Sequence, residues 1–361
     1  MGPRQGRIVS PIHVLGVLGM SGRHPVERLE RETGQAEPGM RDRIDMREDD
    51  DVDGQGNGGE EPSSFRIARL TGREVTPRFA DCVAALDPAA PSDYRELAAH
   101  LAFDWQARRP ACVGLGGGQG AGKSTLGRLI ESACSFVGLR VCVLGLDDFY
   151  LPASERRRLA AEVHPLLETR GPPGTHDIEA CGRAMEALQR DVEIGLPVFD
   201  KGLDDRSGVR RVRGPFDLVL LEGWCVGARP APEERLVVPV NSLERDRDPG
   251  GVWRRYVNGQ LAGNYARVWE KLDWLGFLRV PDLEAIRRWR LEQESARPAA
   301  RRLSRGAIVS FVQYFERITL DMLRTLPPRC DLEIGLAEDH SIAGLRTSER
   351  SLRVDHEQAW Q

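Results

Sequence analysis

The chain has 361 residues, 40% of them hydrophobic and 29% charged, and its formal net charge is -4. This balance does not indicate the large basic surface of a nucleic-acid-binding protein. No segment approaches the ~20 consecutive apolar residues that a membrane-spanning helix needs. The length suits one large domain, or one domain with appended segments, and it leaves the oligomeric state open.

The cysteines and the first residues bear on the cellular compartment. The chain has 7 cysteines, and none of them forms a C-x-x-C pair. An odd number without metal-binding spacing is typical of a reducing compartment. The apolar stretch 9–20 is interrupted by Ser10, Pro11 and His13 and lacks a convincing signal-peptide cleavage site. We therefore predict a cytoplasmic protein.

Residues 1–65 differ in composition from the rest of the chain. Between positions 22 and 62 they are mostly Gly, Arg, Asp, Glu, Pro and Ser. Such a segment cannot bury enough apolar surface to offset the entropy lost on ordering. We predict a disordered extension over 1–65, a folded domain over 66–345 and a flexible tail over 346–361. A regulatory tail or a misplaced start codon would give the same composition.

Apolar runs typical of strands alternate with helical patterns through the predicted domain. This alternation predicts an α/β fold with a parallel sheet covered by helices on both faces. The ligand of such a sheet binds beyond the carboxyl ends of its strands. Candidate strands lie around 113–115 and at 141–146, 217–221, 236–240, 275–280 and 332–334, and one helix is expected over 251–275.

A phosphate-binding loop is predicted after the first strand. Gly117, Gly122, Lys123 and Ser124 fit the pattern G-x-x-x-x-G-K-[ST]. The glycines let backbone N–H groups approach phosphate oxygens, and the following helix adds positive potential at its N-terminus. Lys123 would reach the β- and γ-phosphates, and Ser124 would offer a hydroxyl to Mg²⁺. The nucleotide-binding residues predicted are Gly117, Gly118, Gln119, Gly120, Ala121, Gly122, Lys123, Ser124 and Thr125.

Two acidic clusters follow later strands and belong to the same predicted edge of the sheet. Asp147 directly follows the second strand and is our candidate general base, while either it or Asp148 caps the next turn in the alternative interpretation. Glu222 ends the 217–221 strand, where P-loop proteins carry an acid that supports Mg²⁺. Gly223 beside it permits close backbone approach.

Other polar residues allow two interpretations. Arg287, Arg288 and Arg290 form a charge cluster on a helix, which is either a solvated face or a lid that donates arginines to ATP phosphates. Of these we predict that Arg288 and Arg290 contact the nucleotide. His176 is either catalytic or a polar residue at a helix start. Trp224 and Tyr265 are expected in the core.

Together these segments resemble the plant and fungal D-glycerate 3-kinases, in the phosphoribulokinase, uridine kinase and pantothenate kinase branch of P-loop kinases. The resemblance covers roughly residues 105–335 in family order, which a chance motif would not do. Besides the phosphate-binding loop, the matching segments are LDDFYL at 146–151, RGPPGTHD at 170–177, LPVFDK at 196–201, EGW at 222–224, RWRLEQ at 288–293 and FVQYF at 311–315.

The resemblance implies a P-loop fold with a five-stranded parallel core sheet and a helical lid. It also implies an ATP- and Mg²⁺-dependent kinase that phosphorylates D-glycerate to 3-phosphoglycerate, with Asp147 as base and Glu222 supporting the metal. The acceptor pocket would be lined by Asp147, Tyr150, Arg170, His176, Lys201 and Arg206. Glycerate is a small anion, so we expect at least one of Arg170, Lys201 and Arg206 to contact its carboxylate.

Two alternatives remain open at this point. A kinase of the same branch could act on another hydroxyl acceptor, such as pantothenate, a nucleoside or a sugar acid. The other alternative is a nucleotide-dependent switch without a metabolite substrate. Neither an Asn/Thr-Lys-x-Asp guanine motif nor a Leu-Ser-Gly-Gly-Gln signature occurs in the chain. A base at Asp147 favours the kinase, since a switch needs none.

Overall fold

A mostly parallel sheet of six strands forms the centre of the computed structural model, which describes residues 65–295, 302 and 304–347. The strand order is β2-β5-β1-β6-β7-β8, and only β8 runs antiparallel to its neighbour. The strands are β1 (Cys112–Gly117), β2 (Val141–Gly145), β5 (Leu218–Gly223), β6 (Trp274–Arg279), β7 (Leu332–Leu336) and β8 (Ile342–Thr347). The predicted five-stranded parallel core is therefore confirmed, with one antiparallel edge strand added.

Helices cover both faces of this sheet, and alternate residues of its central strands face opposite apolar layers. In β5, Leu218 and Leu220 belong to one layer, whereas Val219 and Leu221 belong to the other. The helices are α1 (Arg66–Thr71), α2 (Pro77–Ala85), α3 (Ser92–Arg108), α4 (Lys123–Phe136), α5 (Ala153–Glu162), α6 (Ile178–Leu188), α7 (Glu233–Val237), α8 (Ser242–Arg247), α9 (Val252–Gln260), α10 (Ala266–Trp269), α11 (Leu283–Ser295) and α12 (Arg305–Thr325). None of the described helices is both long and apolar enough to cross a membrane.

A separate hairpin of two antiparallel strands, β3 (Glu193–Asp200) and β4 (Asp205–Arg213), stands beside the main sheet. Its residues 201–204 connect the strands. The amide N–H of Phe199 donates to Asp148 Oδ1 over 3.3 Å, which ties β3 to the 3₁₀ turn Leu146–Phe149 after β2. The matching segment 196–201 is thus the end of β3 and the first residue of its turn, and it brings Lys201 towards the main sheet.

Two local predictions were wrong. Residues 236–240 form no strand, because Pro232 and the acids Glu233 and Glu234 begin the short helix α7 instead. The helix predicted over 251–275 is broken: α9 gives way to the π-helical turn Leu261–Tyr265, in which Gly263 has non-helical torsions, and β6 has already begun at Trp274.

The domain limits stay predictions. The extension proposed for 1–65 lies outside the described residues except for Phe65, and so does the proposed tail except for its first two residues. Those two residues belong to β8, which ends at Thr347.

Candidate active site

The phosphate-binding loop lies between β1 and α4, as the motif requires. β1 ends at Gly117 and α4 begins at Lys123. Gly120 and Gly122 have φ values of 80° and 81°, in the left-handed region that glycine adopts without strain. A Cβ atom on Gly122 would lie 3.0 Å from the Tyr94 ring. The sequence of the loop thus folds into the turn that exposes its N–H groups at the start of α4.

Lys123 lies over this loop. Its side chain is buried, and its Nζ donates to the carbonyl oxygens of Gly117 and Gly118 over 2.9 and 2.8 Å. Burial lowers the pKa of the ammonium, an effect that the nearby carboxylates of Glu222 and Asp147 oppose. An ammonium group held at the loop in this way is suited to binding the negatively charged oxygens of a phosphate.

Ser124 and Glu222 meet at the edge of the sheet. The Ser124 hydroxyl donates to Glu222 Oε1 over 2.6 Å. The parallel register pairs Leu115 of β1 with Glu222 of β5, so the carboxylate reaches the level of the phosphate-binding loop. Burial raises the pKa of Glu222, while Lys123 and the Ser124 hydroxyl oppose this shift. A hydroxyl beside a carboxylate is a hard-oxygen pair that fits Mg²⁺.

Asp147 lies at the same edge, on the 3₁₀ turn that follows β2. The register pairs Gly145 with Glu222, two residues before Asp147. Lys201 Nζ lies 2.6 Å from Asp147 Oδ2, whose side chain is 38% exposed. Burial acts to raise the pKa of Asp147, but the Lys201 ammonium and the Tyr150 hydroxyl outweigh it and hold that pKa below its ordinary value. The carboxylate is therefore ionised and faces the cleft.

Asp148 has a different role. Its Oδ1 accepts from the Phe199 amide, and burial raises the pKa of its carboxyl group. Although Asp148 also reaches the cleft, its bond to the backbone of β3 indicates that it fixes the hairpin. Of the two neighbouring acids, Asp147 is the one with a cationic partner at hydrogen-bonding distance.

Tyr150 and His176 form a buried aromatic pair beside the turn that carries Asp147. Their rings stack with centroids 4.4 Å apart, and His176 Nδ1 lies 2.7 Å from the hydroxyl of Tyr265. Burial lowers the pKa of His176 to about 4, which the charge of Asp147 opposes, so the ring is neutral near pH 7. Tyr150 reaches the cleft, whereas His176 is not among the described residues that line it.

The predicted acceptor arginines are held by carboxylates. Arg170 forms an ion pair with Asp204 in the hairpin turn. Arg206 Nε donates to the carbonyl oxygen of Tyr150 over 2.9 Å, and its guanidinium lies 3.6 Å from Asp177. Arg170 lines the cleft, but Arg206 is not among its described lining residues.

One cleft of about 1790 Å³ connects these groups. It runs from the phosphate-binding loop past Asp147 and Glu222 to Lys201 and Arg170. Sequence analysis missed four of its lining residues, since no motif surrounds them and only the fold brings them here: Tyr94, Arg247, Asp339 and His340. Phe311 and Tyr314 also line the cleft; they belong to the matching segment 311–315, for which the sequence suggested no role. Trp224, which we expected in the core, is buried and also touches the cleft.

The arginines of α11 divide into two groups. Arg290 lines the cleft and donates to Gln293 over 3.0 Å. Arg288 lies 3.4 Å from Glu338, and Arg287 bonds Glu284 and Glu316; neither is among the described residues that line the cleft. The structure therefore brings Arg290, but not Arg288, to the predicted nucleotide site.

The strand, glycine loop and helix, with an acid on the neighbouring strand, define a P-loop nucleotide-binding fold. No family model matches the chain. It is 32% identical over 251 residues to the uncharacterized kinase mug58 of Schizosaccharomyces pombe, covering 64% of this chain and 89% of that protein. It is 29% identical over 201 residues to the chloroplastic D-glycerate 3-kinase of Arabidopsis thaliana, covering 52% of this chain and 41% of the plant enzyme.

A solved structure gives the same picture. The D-glycerate 3-kinase of Cryptococcus neoformans superimposes with a TM-score of 0.59 at 25% identity, over 70% of this chain and 98% of that one. The chain belongs to the P-loop kinase family that includes the fission-yeast kinase and the plant and fungal D-glycerate 3-kinases. It is a phosphotransferase, and its relatives imply ATP as phosphoryl donor and a small molecule as acceptor.

Proposed function

We propose that the protein transfers the γ-phosphoryl group of ATP to the 3-hydroxyl group of D-glycerate. The observation that carries the proposal is Asp147, an ionised carboxylate in the same cleft as the phosphate-binding loop and 2.6 Å from Lys201. A switch protein needs no such base. The names of the plant and Cryptococcus relatives support glycerate as the acceptor.

In the proposed reaction Asp147 accepts the proton of the acceptor hydroxyl as its oxygen attacks the γ-phosphorus. The bond between the γ-phosphorus and the β–γ bridging oxygen breaks, and ADP leaves with the electron pair. Lys123 stabilises charge on the β- and γ-phosphates, and the loop from Gly117 to Thr125 binds them. Arg290 on α11, which lines the same cleft, would contact the nucleotide as well.

Ser124 and Glu222 are the residues that would hold Mg²⁺, because their oxygens lie together beside the loop. The ion would neutralise charge on the phosphates. Lys201 and the Tyr150 hydroxyl keep Asp147 ionised, and His176 stacks on the ring of Tyr150. A cytoplasmic location stays a prediction from the sequence.

The test is ADP release by the purified full-length chain with ATP and Mg²⁺ and a panel of acceptors: D-glycerate, L-glycerate, pantothenate and uridine. We expect acceptor-dependent ADP with D-glycerate at the highest kcat/KM. The matched control is Lys123→Ala, in which turnover should fall by orders of magnitude while the fold is retained. A higher kcat/KM with pantothenate or uridine would show that glycerate is not the acceptor. ADP release at the same rate with and without every acceptor would contradict the assignment as a kinase.

A further inference from the structure

Among the residues that the structure describes, five cationic side chains line the cleft, and they differ in the partners that they already have. They are Lys123, Arg170, Lys201, Arg247 and Arg290. An anion that enters the cleft must share each of these cations with the partners that already bind it. The cation with the fewest partners is therefore the strongest candidate for binding an incoming anion.

Four of the five have partners. Lys123 bonds two carbonyl oxygens of its own loop, Lys201 pairs with Asp147, and Arg170 pairs with Asp204. Arg290 donates to Gln293 and lies on α11. Using Lys201 or Arg170 for an acceptor carboxylate would place that carboxylate beside Asp147 or Asp204, where like charges repel.

Arg247 is different, because in the part of the chain that the structure describes its guanidinium makes neither an ion pair nor a hydrogen bond. It is the last residue of α8, and its side chain is exposed. A guanidinium presents five donors in a planar fork that matches a carboxylate. Arg247 thus offers donors to the cleft that no described residue occupies.

The backbone on both sides of Arg247 is anchored. The side chain of Asn241 caps α8 and donates to the carbonyl oxygen of Gln313 over 2.9 Å. On the other side, Asp248 is buried, lies 3.1 Å from Arg254 Nη1, and accepts the amides of Trp253 and Arg254. A rigid backbone reduces the entropy that the arginine loses on binding.

The position of Arg247 identifies the part of the cleft that it serves. The neighbouring Asp248 lies 3.7 Å from Nε2 of His164. His164 directly precedes the segment 165–170, which lines the cleft through Pro165, Glu168, Thr169 and Arg170. Tyr314 of α12 follows Gln313, the partner of Asn241. Arg247 therefore borders the segment that carries Arg170, a predicted acceptor residue.

We propose that Arg247 binds the carboxylate of the acceptor and so selects anionic acceptors. This inference rests on the proposed function. It adds a residue that sequence analysis did not single out, and it gives Lys201 the task of controlling Asp147 rather than of binding the acceptor.

The test is the steady-state kinetics of Arg247→Ala in the full-length chain. Loss of a charge-assisted, forked hydrogen bond should raise the KM for D-glycerate roughly ten- to hundredfold, with the KM for ATP nearly unchanged. Arg247→Lys should recover part of the loss. Arg245→Ala is the matched control: Arg245 is exposed on the same helix, pairs with Asp246, and its replacement should leave both KM values unchanged.

The outcomes separate the two proposals. If wild-type protein uses D-glycerate and folded Arg247→Ala keeps the wild-type KM, the Arg247 assignment is wrong and the kinase assignment stands. If the wild type prefers another carboxylate acceptor, Arg247→Ala should raise its KM instead, and only the glycerate assignment fails. If the wild type phosphorylates glycerol as efficiently as glycerate, or prefers uridine, the proposal that Arg247 selects anionic acceptors is wrong. If Arg247→Ala does not fold, Arg247→Gln provides the same comparison.

Discussion

At the scale of single residues, the chemistry depends on how Asp147 and Asp148 differ. They are adjacent in sequence, yet Asp147 pairs with Lys201, whereas Asp148 accepts a hydrogen bond from the amide of Phe199. The sequence favours Asp147 only because it directly follows the strand, and it leaves open which of the two caps the next turn. The distinction comes from the hairpin, whose approach to this turn no local pattern encodes.

Asp147→Asn should lower kcat by ~10²–10⁴-fold, because the amide cannot accept the acceptor's proton. ATP binding should remain close to that of the wild type, since the phosphate-binding loop is untouched. Asp148→Asn is the paired variant: it weakens the bond to β3 and should reduce thermal stability more than kcat. Rapid-quench kinetics together with thermal melts would measure both. A reversed pattern, with Asp148→Asn abolishing turnover, would assign the base to Asp148.

Lys201 should set the acid limb of the pH–rate profile. Burial favours the protonated form of Asp147, and the Lys201 ammonium is the largest influence that opposes it. Without that charge the pKa of Asp147 rises. On acidification, Asp147 in Lys201→Met therefore becomes protonated, and inactive as a base, at a higher pH than in the wild type. The expected result is an acid limb of kcat/KM shifted to higher pH, and Lys201→Arg should restore its position. An unshifted limb in Lys201→Met would mean that the pair does not control the base.

At the scale of elements, the site depends on the close contact between the end of β5 and the turn that carries Asp147. Gly223 makes this contact possible: a Cβ atom there would lie 2.7 Å from the Cβ of Leu146 and 3.1 Å from Val226. The sequence indicated close approach at Gly223, but not that Leu146 is the neighbour.

Gly223→Ala should destabilise the protein by about 1–3 kcal/mol, because the added methyl group overpacks a buried contact. Since Leu146 precedes Asp147, kcat should fall as well. Gly208→Ala in the exposed strand β4 is the control, as nothing lies within 4 Å of its added Cβ. Urea unfolding of both variants would measure the difference. Equal stability of the two variants would show that the β5 contact tolerates a side chain.

The strands that could be predicted from the sequence are buried ones with continuous apolar runs. β1 and β5 are continuous apolar runs closed by glycine or an acid, and they were placed within one or two residues. β8 was missed because its residues alternate weakly and include Gly344 and Arg346. The 236–240 strand was predicted from valines that lie exposed, at 61% and 68% for Val237 and Val238. Hydrophobic residues alone do not identify a strand when they do not reach a core.

At the scale of the molecule, the cleft combines segments distant in sequence. The phosphate-binding loop, Asp147 and Glu222 could be predicted together because parallel strands end at one edge of a sheet. Arg247 could not, since it reaches the cleft only through the packing of α8 on α12. His176 shows the converse: its segment pointed to the acceptor pocket, but the fold buries the ring against Tyr150 and Tyr265.

The central claim, phosphoryl transfer to the 3-hydroxyl of D-glycerate, is tested most directly by identifying the product. The full-length protein would be incubated with ATP, Mg²⁺ and ¹³C-labelled D-glycerate, and the product examined by ¹³C and ³¹P NMR. The account predicts a single new phosphomonoester whose phosphorus couples to C3, formed in equal amount with ADP and absent with Lys123→Ala. A phosphoester at C2, or ADP formed with glycerate left unmodified, would contradict it.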